Sequence, residues 1–120
     1  MLLTLVRHGD ALPGGELGDR GRALSLFGRQ QARATGQALA ERGVAPTRIY
    51  CSPLVRAVQT AEIIVAAIAS PQAVLAHGDL FPESSPHVVV AELIERADPA
   101  DDILLVGHQP FMSTLAGYLV

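Results

Sequence analysis

The chain has 120 residues, enough for one domain with a buried core and too few for two. Hydrophobic residues make up 49% and charged residues 18%, which excludes a disordered tail. Nine basic residues stand against twelve acidic ones, a formal net charge of −3, so the basic face that nucleic acid requires is not expected. With no Trp and few other aromatics, a base-stacking platform is not expected either. The single cysteine, Cys51, excludes an internal disulfide and a cysteine-built zinc cage. Met1 to Val6 is apolar but stops at Arg7, too short for a signal segment, and Ala61 to Ala69 is broken by Glu62. No membrane contact is expected, and the cytoplasm is the expected location.

The predicted elements alternate along the chain. Leu2–Val6 is a short apolar run that ends abruptly, as a buried parallel strand does. A loop rich in Gly and charge follows, from Gly9 to about Arg22. Ser25–Arg42 reads as a helix that stops at Gly43. Thr47–Cys51 is a second strand. Ser52-Pro53 reads as a helix start, since Ser caps free amides and Pro is tolerated at the first helical position. That helix runs to about Ala69, with Leu54, Val58, Ala61, Val65 and Ile68 on one apolar stripe. Ala73–Ala76 is a weak strand and Pro86–Ala97 a helix. Ile103–Val106 is a strand, Gly107–Pro110 a turn and Phe111–Leu119 a helix. Strand and helix in strict alternation predict an α/β fold, a three-layer sandwich with a mostly parallel central sheet and helices on both faces. In such sheets ligands sit beyond the carboxyl ends of the strands.

Chemistry concentrates at those ends. Arg7-His8-Gly9 follows the first strand. Arg offers a fixed fork of donors for phosphate oxygens, and His is a nucleophile or base that works near neutral pH. Ser52-Pro53-x-x-Arg56 follows the second strand, where a helix N-terminus favours an anion. Gly107-His108 follows the fourth. Taken singly, each is an ordinary polar residue at a turn. Together, two Arg and two His at one sheet edge describe a dianion pocket in an acidic protein. His77, His87 and Asp79 near the third-strand loop lack tight metal-ligand spacing and read as loop residues, and Cys51 as a small buried hydrophobe.

Leu5-Val6-Arg7-His8-Gly9-Asp10-Ala11, Ser52-Pro53-x-x-Arg56-Ala57-x-Gln59-Thr60 and Val106-Gly107-His108, in that order, resemble the histidine phosphatase (phosphoglycerate-mutase-like) superfamily and its SixA-type phosphohistidine phosphatase branch. The resemblance spans residues 2 to 119. It implies that His8 is the catalytic nucleophile, and that Arg7, Arg56 and His108 join it in binding phosphate and stabilise the transferring phosphoryl group. Arg22, in Arg22-Ala23-Leu24-Ser25-x-x-Gly28, matches a weaker family segment beside the pocket and is not assigned to catalysis. Family members that act on phosphomonoesters carry a carboxylate in the loop after the third strand. Here that loop holds Asp79 and Glu83, which makes Glu83 a weak candidate for a general acid.

The implied activity is a phosphohydrolase with a phosphohistidine enzyme intermediate and no metal or cofactor. Its expected substrate is phosphohistidine in a protein, because a protonated imidazole leaves without a fixed acid. The alternatives are a broad phosphomonoesterase acting on small phosphate esters, and a non-catalytic phosphate-binding regulatory module. Chains resembling this one run on to a further strand and helix, so residues 1–120 are read as a single domain without that C-terminal pair. The apolar end Tyr118-Leu119-Val120 carries an expectation of self-association.

Overall fold

The computed structural model describes residues 1–119, and of Tyr118 the backbone only. Four strands, β1 (Leu2–Arg7), β2 (Arg48–Cys51), β3 (Val74–Ala76) and β4 (Asp102–Gly107), form one sheet in the order β1-β4-β2-β3. Every pairing in it is parallel. The helices are α1 (Leu26–Glu41), α2 (Val55–Ala67), α3 (Pro86–Val89) and α4 (Phe111–Leu119). From β1 through β2 to β3 the chain advances in one direction across the sheet, and the crossover helices α1 and α2 pack on one face. The step back from β3 to β4 reverses direction and puts α3 and α4 on the other.

The core divides accordingly. On β4, Leu104 and Val106 point into a cluster with Ala61 and Ile64 of α2. Ile103 and Leu105 point into a cluster with Val89, Leu93, Phe111, Met112 and Leu115. All four β4 residues are fully buried, which fits the central strand of a sheet covered on both sides. This is the three-layer sandwich that the alternation predicts.

Local chemistry explains most boundaries. Ser25 caps α1 by accepting the Gly28 amide at 2.9 Å, and Gly43 closes the helix at a φ of 73°. Gly28, Ala32 and Gly36 form a buried stripe of small residues on α1. A Cβ at Gly36 would lie 2.5 Å from that of Ala67, so this stripe sets how closely α1 approaches α2.

Two boundaries depart from expectation. The helix expected to start at Ser52-Pro53 starts at Val55, with Leu54 as its N-cap. The Ser52 amide still donates to Val106 O at 3.0 Å, so Ser52 continues the sheet ladder, and its hydroxyl accepts the Leu54 amide at 3.3 Å, just ahead of the helix. The single helix expected over Pro86–Ala97 is a short α3 followed by a π-helical turn over Val90–Ile94, closed by Glu95 N donating to Val90 O at 2.8 Å. The β-branched run Val88-Val89-Val90 is a poor α former, and the wider turn lets Val89, Val90 and Leu93 all face the core. At the carboxyl end Leu119 is partly exposed, while the Tyr118 side chain and Val120, on which the expected self-association also draws, lie outside the described residues.

The loop after β1 rests directly on α1. A Cβ on Gly28 would overlap the Asp10 carbonyl oxygen, and one on Gly9 would lie 2.5 Å from Gly28 O. Gly28→Ala gains up to about 1 kcal/mol of helix propensity. It also forces two backbones apart, at about 1–3 kcal/mol. Net destabilisation is therefore expected in urea unfolding, with a neutral result for the control Gly15→Ala, where a Cβ meets nothing within 4 Å.

Candidate active site

The parallel register aligns the strand ends. Arg7 pairs with Gly107, Val106 with Cys51, and Cys51 with Ala76. The ladder continues one residue further: His8 N donates to Gly107 O at 3.0 Å and His77 N to Cys51 O at 2.9 Å. His8, Ser52, His77 and His108 therefore emerge side by side. Arg56 joins them as the second residue of α2.

A cavity of about 680 Å³ opens at this edge. Arg7, His8, Arg56 and His108 all line it. Its size lies within the range of small-molecule sites.

The tautomer of His8 follows from its partners. Its Nδ1 lies 2.6 Å from Gly9 O, which can only accept, so in the neutral ring Nδ1 carries the proton. Arg56 Nε donates to His8 Nε2 at 3.3 Å, so Nε2 presents the lone pair. Burial lowers the His8 pKa from its ordinary 6.5, the Gly9 carbonyl opposes this, and the charges of Arg56, Arg7 and Arg22 lower it further. The ring is therefore neutral at neutral pH, with the Nε2 lone pair unprotonated.

His108 is almost fully buried, and its ring centroid lies 5.1 Å from that of His8. Its Nε2 is 2.7 Å from Ser52 Oγ. That oxygen also accepts the Leu54 amide at 3.3 Å, and among the described residues its hydroxyl hydrogen has His108 Nε2 as its acceptor. Nδ1 then carries the imidazole proton, and it has no protein partner among the described residues. A buried donor without a partner, in a residue that lines the cavity, is suited to a ligand oxygen. Burial first, then the charges of His8 and Arg56, push the His108 pKa down to about 4, with Asp19 acting in the opposite sense.

The loop from Gly9 to Arg22 supplies two residues that the sequence reading left unassigned. Arg22 lines the cavity, held by Leu12 O at 2.8 Å and Ala11 O at 3.4 Å. Asp19 lines it too, with its carboxylate between Arg56 Nη2 at 3.1 Å and Arg22 Nη1 at 3.5 Å. Limited burial raises the Asp19 pKa, and the bonds and charges of Arg56 and Arg22 outweigh it, so the net shift is downward. Ser52 is the third unassigned residue. Gln59 and Thr60 act from behind: Gln59 Oε1 accepts the Leu24 amide at 2.7 Å, and Thr60 Oγ1 accepts the Gly9 amide at 3.1 Å.

Glu83 lies apart from the cavity wall, exposed and 3.9 Å from Arg20, while its neighbour Pro82 does line the cavity. His77 Nδ1 accepts the Asp79 amide at 3.1 Å. Among the described residues no group of three or more His, Cys, Asp or Glu is placed to hold a metal. Cys51 is fully buried, and burial, followed by Glu62, raises its pKa to about 11, which keeps the thiol protonated. None of the described helices is long and apolar enough to cross a membrane.

The model of the histidine phosphatase superfamily (branch 1) matches residues 3–77, more than half of the chain. An uncharacterized protein of Picosynechococcus sp. is 38% identical over 113 residues, covering 92% of this chain and 67% of its own length. The mitochondrial serine/threonine-protein phosphatase Pgam5 of Drosophila ananassae is 44% identical over 63 residues, covering 52% of this chain and 22% of its own length. The solved structure of the protein histidine phosphatase SixA complexed with tungstate superposes with a TM-score of 0.91 at 26% identity, over 98% of this chain and 75% of that one. The chain belongs to the histidine phosphatase superfamily, in its SixA-type branch, with which both its motifs and its fold agree.

Proposed function

We propose that this chain is a phosphohydrolase that works through a phosphohistidine enzyme intermediate and needs no metal, with phosphohistidine in a protein as its substrate. The observation that carries this reading is the orientation of His8, whose Nε2 lone pair is held 3.3 Å from the Arg56 guanidinium. In the first step Nε2 attacks phosphorus, the bond from phosphorus to the leaving nitrogen breaks, and the departing imidazole retains the electron pair. In the second, water attacks phosphorus, the bond to Nε2 breaks, its electron pair returns to Nε2, and a proton passes to solvent. Arg7, Arg56 and the Nδ1–H of His108 bind the phosphoryl oxygens and neutralise their charge, the task a metal performs in other phosphoryl-transfer enzymes. His108 does this as a neutral donor, not as the imidazolium that a four-charge pocket would supply.

His8→Ala is expected to lower turnover roughly 10⁴-fold or more while leaving the circular dichroism spectrum unchanged. Wild type quenched during turnover should carry acid-labile, base-stable phosphate, and EDTA should leave its rate unchanged. A fully active variant would falsify the nucleophile assignment. Folded wild type that binds phosphate without any turnover would instead be the regulatory module.

The second reading, a phosphomonoesterase, draws on the relative named a serine/threonine-protein phosphatase and on the carboxylate in the loop after β3. An alkoxide needs a proton donor where an imidazole does not. Hydrolysis of a phosphohistidine peptide should therefore exceed that of a phosphoserine peptide, and Glu83→Gln should leave both rates within about twofold. A loss of tenfold or more confined to the monoester identifies Glu83 as the acid and favours the second reading.

The buried His108 also makes stability depend on pH. Its pKa is about 4 in the folded chain against 6.5 when exposed, so the unfolded state binds the proton more tightly. The stabilisation is complete above pH 6.5 and is lost as the pH falls toward 4, by about 3 kcal/mol in all. Urea unfolding at pH 7 and pH 5 should show this fall in wild type and a smaller one in His108→Asn.

A further inference from the structure

The side-on edge of Arg56 carries two hydrogen bonds. Nε reaches the nucleophilic Nε2 of His8 at 3.3 Å, and Nη2 reaches Asp19 Oδ2 at 3.1 Å. A phosphoryl group placed for attack by His8 has to use that same edge, because it is the part of the guanidinium that faces the nucleophile. The other oxygen of Asp19, Oδ1, lies 3.5 Å from Arg22 Nη1, so the carboxylate bridges two guanidiniums of the cavity as a phosphoryl group would. The Arg56 side chain is nearly buried whereas Asp19 is mostly exposed, so the carboxylate has solvent to move into when it is displaced.

We propose that Asp19 is a specificity-determining residue: its carboxylate occupies the phosphoryl seat on Arg56 and yields it only to an anion of higher charge. A dianionic phosphoryl group outcompetes a singly charged carboxylate for the guanidinium, whereas a monoanion gains little by the exchange. The same competition loosens product phosphate and limits product inhibition. The inference rests on the reading of this cavity as a phosphate site, and concerns which anions it admits and how tightly it holds them.

Asp19→Asn removes the charge and keeps the shape. The loop stays tethered in the variant, because Arg56 Nη1 bonds the Asp19 main-chain carbonyl at 2.8 Å and Arg22 keeps Leu12 O and Ala11 O. Inorganic phosphate titrated against wild type and Asp19→Asn, followed by calorimetry at pH 7.5, should bind about fivefold more tightly to the variant. Nitrate, a monoanion, should gain at least as much. Asp19→Ser, smaller and uncharged, should behave like Asp19→Asn, and Asp19→Glu like wild type. Unchanged or weaker phosphate binding in both uncharged variants overturns the proposal. So does a tenfold loss of kcat with phosphate affinity unchanged, which would make Asp19 a base acting on water. The titration needs no turnover. Failure of wild type and both uncharged variants to bind phosphate at millimolar concentration would sink the phosphate-site reading itself, a result distinct from equal binding by all three.

Discussion

The parallel ladder of β1, β4 and β2 is the constraint on which everything else depends. Because these strands share one direction and one register, their carboxyl ends fall level, and residues separated by tens of positions become neighbours. His8 and His108 leave adjacent strands at paired positions, since Arg7 pairs with Gly107. Ser52 leaves the next strand over, opposite the residue after Val106. A slip of one residue in β4 would send its side chains to the opposite faces. It would disrupt both core clusters and swing His108 away from Ser52. The apolar alternation of Ile103 to Val106 and the geometry of the site are therefore one requirement, not two.

The protein is acidic overall, yet three guanidiniums line one cavity. All nine basic residues of the chain are arginines. A guanidinium stays ionised when buried and presents a planar fork, whereas a buried ammonium readily loses its proton. Arg56 shows the advantage: nearly buried, it still engages His8 and Asp19 in one plane of donors. The same positive field, added to burial, keeps both cavity histidines neutral.

How much of this was legible in the sequence depends on the length scale of the cause. His8, Arg7, Arg56 and His108 could be placed at one edge because strand ends follow from short apolar runs, and the edge follows from alternation. Ser25 and Gly43 declared the ends of α1 through local rules. Ser52 was misread because the same local rules make Ser-Pro a helix start. The sheet ladder, formed with a strand more than fifty residues away, extends through Ser52, delays the helix to Val55 and turns the Ser52 hydroxyl to His108. Asp19 lies in a loop with no periodicity, and nothing local distinguishes it from a solvated acid. The π-helical turn after α3 answers to the demands of the core, which propensity does not encode.

The protonation pattern bears on the leaving group of the proposed reaction. The Nδ1 proton of His8 is committed to the Gly9 carbonyl, and the imidazole of His108 is buried and neutral. The Asp19 carboxyl is held ionised by two arginines, and guanidiniums do not give up protons at neutral pH. In the proposed reaction the groups closest to His8 are thus suited to hold a phosphoryl dianion and poorly suited to deliver a proton past it. An alkoxide leaving from such a site carries its full charge into a cavity already balanced by the phosphoryl group. An imidazole that brings its own proton leaves neutral. The composition of the pocket supports the proposed substrate, whose leaving group supplies its own acid, and with it the proposed preference for a phosphoramidate bond over an ester.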